Sequence, residues 1–114
     1  MKIREAIKRA DELRPNTAED SIKYSLIYGL EGNIAEMMGI PAPENKWPDD
    51  TELLMPYPYD NVYELYLTAI LDYYNMDTEL YGNDMTLFTA AFNEAKAFWR
   101  RNNRADDSGN WNVM

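Results

Sequence analysis

The stretch from Tyr59 to Asn75, YDNVYELYLTAILDYYN, constrains the fold more than any other part of the chain. Val62, Leu65, Tyr66, Ala69, Ile70 and Tyr73 recur at helical spacing, and Tyr63, Leu67, Leu71 and Tyr74 extend apolar character onto the adjoining face. Only Asn61, Glu64, Thr68, Asp72 and Asn75 form a polar stripe, and it is narrow. A helix that is apolar over most of its circumference is buried on several sides. The stretch is therefore expected to be a hub for the other helices, with its tyrosines in the core or in subunit contacts. If it is left half exposed, the uncovered face becomes the first candidate for an assembly interface.

Three further segments have faces that could cover it. In residues 2–14, Ile3, Ala6, Ile7, Ala10 and Leu13 share one side of an amphipathic helix that Pro15 stops. Thr17 is the expected N-cap of a second helix, which runs to about Met38 with Ile22, Leu26, Leu30, Ile34 and Met38 at every fourth position. Gly29 and Gly32 each cost about 1 kcal/mol there relative to Ala, which suggests a close backbone approach or a kink. Gly39 reads as the stop. The last helix runs from about Thr78 to Arg104, and its Tyr81, Met85, Phe88, Phe92, Ala95 and Trp99 alternate spacings of four and three, a seam suited to packing along another long helix. Leu87, Ala91 and Phe98 are expected to widen that seam. Gly82 marks either a kink or a later start capped by Asn83 or Asp84.

Five of the six prolines fall in residues 40–58, the one long connection. Helix is improbable there, and Leu53, Leu54 and Met55 are expected to pin the segment to the core, in an extended form. Trp47 either packs over the helices or anchors a partner. Taken together, the pattern predicts a mainly α fold: a compact bundle of about four helices around a central apolar helix, with one long Pro-rich connection. Residues 1–104 form a single domain and 105–114 a flexible C-terminal tail.

The chain contains no Cys and no His, which excludes disulfides, thiolate or imidazole nucleophiles and nearly all structural zinc sites. The five glycines are scattered and form no phosphate loop. Twenty acidic residues make any one carboxylate pair uninformative; Glu64 and Asp72, two turns apart on the hub, would matter only if both were buried. No apolar run approaches the roughly 18 residues needed to cross a bilayer, and the N-terminus lacks a signal-peptide pattern. The net charge of −9 argues against general nucleic-acid binding.

That charge is uneven. Residues 40–86 hold ten acids against Lys46 alone, whereas 87–104 hold Lys96, Arg100, Arg101 and Arg104 against Glu94. Such asymmetry suits either self-association, with the basic end of one copy facing the acidic middle of the next, or a solvated surface with helix-dipole matching. Tyr, Trp, Met and Arg richness without catalytic groups fits an interaction protein. The candidate contact residues are Trp47, Trp99, Arg100, Arg101, Arg104 and Trp111. No cofactor or metal is expected.

Several runs also carry a resemblance. In order they are Asp11 to Asn16 (DELRPN), Asp50 to Asp60 (DTELLMPYPYD), Tyr63 to Leu67 (YELYL), Asp72 to Asn75 (DYYN), Asn83 to Met85 (NDM) and Phe98 to Arg101 (FWRR). Together they resemble small proteins encoded among the capsid and neck genes of tailed phages and prophages of Gram-positive bacteria. The resemblance implies a non-enzymatic head–tail connector, or adaptor. Such a protein would form a homo-oligomeric ring next to the portal, bind portal or other neck and capsid proteins, and occupy the virion neck after assembly in the host cytoplasm. An acidic surface would suit a channel wall along which DNA slides without sticking. Two other classes stay open: a small acidic module that inhibits a host protein by mimicking nucleic acid, and a carboxylate-dependent metal enzyme.

Overall fold

The computed structural model describes residues 1–42 and 51–111, with side chains described through Asn103. It contains four helices: α1 (Ile3–Leu13), α2 (Asp20–Met38), α3 (Asn61–Tyr74) and α4 (Thr78–Trp111). α3 packs against each of the other three, and the main contact of α4 is with α3. The expected hub is thus the hub of the fold. α1 runs parallel to α3, since Arg9 pairs with Glu64 and Arg14 with Asp72. α4 runs antiparallel to it, with ring contacts Tyr73–Tyr81, Tyr66–Phe88 and Tyr59–Phe98 marking the register.

Local chemistry explains the boundaries. In α1 the Lys2 backbone N–H donates to the Glu5 side chain at 2.8 Å, a reach-back that satisfies an N-terminal donor. Ile3, Ala6, Ile7 and Ala10 are buried as expected, but Leu13, the last residue of the helix, is exposed. α2 begins at Asp20, later than a Thr17 cap would place it. Asn16 organises the turn instead: its Oδ1 accepts the Ala18 N–H, and its Nδ2 donates to Asp11 and to the Arg14 carbonyl. The α2 stop is as expected. Gly39 is left-handed (φ 74°), and the Gly39 and Ile40 N–H groups bond back to the Glu36 and Ala35 carbonyls.

The buried face of α2 keeps Leu30 and Ile34 of the every-fourth-residue row, with Ile27 beside them, and adds Lys23, Glu31 and Ala35; Leu26 and Met38 are half-buried and Ile22 is exposed. Gly29 and Gly32 do not serve a close approach: a Cβ at either would meet nothing within 4 Å. Leu53 and Met55 are buried and alternate with exposed Glu52 and half-buried Leu54, the period of an extended strand. This segment pairs with the start of α1 through a Lys2–Glu52 bridge.

α4 begins at Thr78, where Asp77 Oδ1 accepts the Leu80 N–H, so Gly82 is neither its start nor a break. Its expected seam faces inward: Phe88 and Ala95 are buried and Tyr81, Met85, Phe92 and Trp99 half-buried. Leu87 does not widen the seam; it sits about 100° round the helix from Phe88 and is exposed. The helix continues to Trp111, past the expected close at Arg104. No proline follows to stop it, and an established helix adds residues without a new nucleation cost. At about 1.5 Å per residue its 34 residues span about 51 Å, the full long dimension of the molecule (51 × 32 × 18 Å). Phe98 stacks on Tyr59, just before α3, so the remainder of α4 continues past the start of α3.

Candidate functional site

Two surfaces and two buried networks stand out. The first surface is the outer part of α4. Trp99 is half-buried on the inner seam, and Asn103 Nδ2 donates to its carbonyl at 2.8 Å. Arg100 and Arg101 are exposed, with no carboxylate in ion-pair contact among the described residues. Lys96 lies 5.2 Å from the centre of the Phe92 ring, one turn back. Of the other expected contact residues, Trp47 lies outside the described residues. Arg104 and Trp111 are on the α4 backbone, and their side chains also lie outside them.

The second surface is the α3–α4 turn at the other end. Tyr73 (66 % exposed), Tyr74, Met76 (88 % exposed) and Leu80 form an uncovered apolar run, although Tyr73 was expected on the buried face of the hub. α3 buries Val62 and Ala69 of the first expected face, Tyr63, Leu67 and Leu71 of the adjoining one, and Thr68 and Asp72 from the supposed polar stripe, while Tyr73 and Tyr74 at its last turn are left uncovered. Thr68 is satisfied within the helix, its hydroxyl donating to the Glu64 carbonyl at 2.7 Å.

The first buried network joins α2, α3 and the extended segment. Glu31, 1 % exposed, accepts from the Tyr63 hydroxyl at 2.5 Å and from the Leu54 N–H at 2.6 Å. The same Tyr63 oxygen accepts the Met55 N–H at 2.9 Å. Burial pushes the Glu31 carboxyl up from its ordinary pKa, against the two hydrogen bonds that favour its anion. Burial also pushes the Tyr63 phenol up, helped by the adjacent carboxylate.

The second network joins the end of α1 to α3 and α4. Arg14 donates through Nε to Asp72 at 2.7 Å, through Nη2 to Asp84 at 2.8 Å, and through Nη1 to the Leu13 carbonyl at 3.0 Å. Asp72 is 1 % exposed, and its second oxygen, Oδ2, has no hydrogen-bond partner. Desolvation, then the neighbouring Asp84, push the Asp72 carboxyl up to about 6, against the pull of Arg14. Glu64, its presumed companion on the hub, points elsewhere and pairs with Arg9. The carboxylate pair considered from sequence is therefore not a pair. The aspartates that do meet are bridged by a guanidinium, which makes the arrangement a clasp between helices. No group of three or more acidic side chains arranged to hold a metal occurs among the described residues.

Lys23 is a further buried charge, held by Asp11 at 2.8 Å and, more loosely, by Asp20 at 3.7 Å. Sequence spacing did not single out Lys23, Glu31 or Arg14. The available signal was a lone charge inside an apolar run, as in LEGNI and ILDYY.

Comparison with known protein families, characterised proteins and solved structures finds no match for the chain.

Proposed function

We propose that the protein is a structural connector of a tailed-phage or prophage neck, acting through subunit contacts and not through catalysis. One observation carries the reading: the α3–α4 turn leaves an apolar surface uncovered at one end of the bundle and the outer part of α4 exposes two arginines at the other, an arrangement suited to bridging neighbours. The runs that carry the sequence resemblance also include the residues that hold the fold together. Arg14, Asp72 and Asp84 lie in DELRPN, DYYN and NDM, and Leu54, Met55 and Tyr63 lie in the two central runs. FWRR supplies the exposed Arg100 and Arg101. Those runs are thus compatible with a shared scaffold that displays its charged helix end to a partner.

The test is capture of the portal protein encoded beside this gene, using the full chain as bait. Portal retained by the chain, with a portal or capsid gene in the neighbourhood, is the expected result. A chain that ignores the portal and instead forms a tight one-to-one complex with a host DNA-binding protein would replace this reading with the inhibitory one.

A further inference from the structure

The two ends of α4 match each other, and the same molecule cannot bring them together. At the α3–α4 turn, Tyr73, Tyr74, Met76 and Leu80 are exposed, and Asp77 and Glu79 add negative charge at their edge. The nearest cation, Arg14, is already engaged by Asp72 and Asp84. Met76 is the most telling residue. It holds a left-handed φ of 62°, where a side chain costs roughly 1–2 kcal/mol relative to glycine. At 88 % exposure, its side chain returns little to the fold. A strained position that keeps a long apolar side chain in solvent is explained by a partner that covers it.

The chemistry of that partner follows from the surface. Exposed tyrosine rings beside carboxylates favour a guanidinium, which stacks on the ring and bonds to the acid. The outer part of α4 offers Arg100 and Arg101 beside half-buried Trp99. Glu79 and Arg101 are about 33 Å apart along one continuous helix, so no bending of a single chain joins them. We propose that the α3–α4 turn is a docking surface for the Arg100–Arg101 end of α4 of a second copy. Each contact uses one surface from each molecule and leaves the complementary surface of each free. The contact is heterologous, and it closes as a ring or grows as a filament according to the rotation between copies. The inference rests on the connector reading in that it specifies the self-contact such a protein would need, and its test separates the two.

The experiment is sedimentation velocity on the full chain at rising protein concentration, in low and high salt. The sedimentation coefficient should rise with concentration and fall with salt, because exposed ion pairs are screened. Two double variants then disable one surface each: Arg100→Ser with Arg101→Ser, and Tyr73→Ser with Met76→Gly. Circular dichroism checks that both stay folded, and Met76→Gly on its own should stabilise the chain. Each double variant alone should associate at least about tenfold more weakly. Mixed together, they should form a one-to-one heterodimer that grows no further, because only one good surface remains on each.

A wild-type chain that stays monomeric throughout overturns the inference while leaving portal capture untouched. Either variant associating like the wild type overturns it as well. So does a mixture that stays monomeric when the wild type associates. Self-association as described, with no retention of portal, would instead remove the connector reading and leave the contact standing.

Discussion

Glu31 and Asp72 are equally buried carboxylates in one small protein, yet their surroundings differ in kind. Glu31 receives hydrogen bonds from neutral donors, the Tyr63 hydroxyl and the Leu54 N–H; among the described residues no cation is in ion-pair contact with it, and the Met1 ammonium acts on it only through space. Asp72 receives a cation, but Arg14 is shared with Asp84, and one Asp72 oxygen is left without a partner. The first network ties the extended segment and α2 to the hub. The second is the polar tie between α1 and the start of α4. The comparison teaches that depth of burial does not measure how well a charge is accommodated. What matters is the count of donors and charges against acceptors.

The largest expected effect comes from removing the shared cation. Arg14→Met leaves two carboxylates facing each other in a dry setting and should cost about 3–5 kcal/mol, read by urea denaturation. Arg14→Lys should recover only part of this, since one ammonium lacks the fork that reaches both aspartates. On the other side of the comparison, Tyr63→Phe strips a donor from Glu31 and an acceptor from the Met55 N–H. A loss of about 2–3 kcal/mol is expected, and a near-neutral result would mean that the Glu31 network is less tightly satisfied than its geometry indicates.

The sharpest contrast is in pH dependence. A carboxyl whose folded pKa is raised contributes stability that is fully present below its unfolded pKa and is lost as pH rises through the folded value. With Asp72 pushed up to about 6, wild-type stability should fall by roughly 2–3 kcal/mol between about pH 4 and pH 6. Glu31, also raised, acts in the same direction. Asp72→Asn should flatten most of that slope and leave the variant more stable than wild type at neutral pH, because an amide can accept from Arg14 and donate toward Asp84. A slope unchanged by Asp72→Asn would assign the dependence to Glu31. The smallest effect belongs to Lys23. Its partner Asp11 is partly hydrated, so Lys23→Met should cost about 1 kcal/mol or less by thermal denaturation.

These networks also mark where the sequence stops being readable. Helix number, the hub, the Gly39 stop, the inward alternation of Leu53 and Met55, and the aromatic seam of α4 all follow from local periodicity and turn chemistry. Periodicity ranks positions by hydropathy, so it placed Thr68 and Asp72 on a solvent stripe and Tyr73 in the core. The structure buries Thr68 and Asp72 and exposes Tyr73, and Asp72 is met by Arg14 from 58 positions away. No local pattern encodes that separation. The same holds for Lys23 and Glu31, whose partners lie on other elements. At the candidate contact site, the exposure of Arg100 and Arg101 could be anticipated from their place at the end of an amphipathic seam. The apolar α3–α4 turn could not, since it requires knowing which side of α3 the body covers.

The unbroken run of α4 has one more consequence. Because Leu80 beside the α3–α4 turn and the Arg100–Arg101 pair sit on one continuous helix, the distance and the angle between them are counted in residues. Adding one residue near Ala90 would lengthen the rod by about 1.5 Å and turn Phe92, Ala95 and Phe98 about 100° away from their places against α3. Adding seven would lengthen it by about 10 Å and nearly restore the angle. The helix therefore serves as ruler and protractor at once, and its packing along α3 holds both settings.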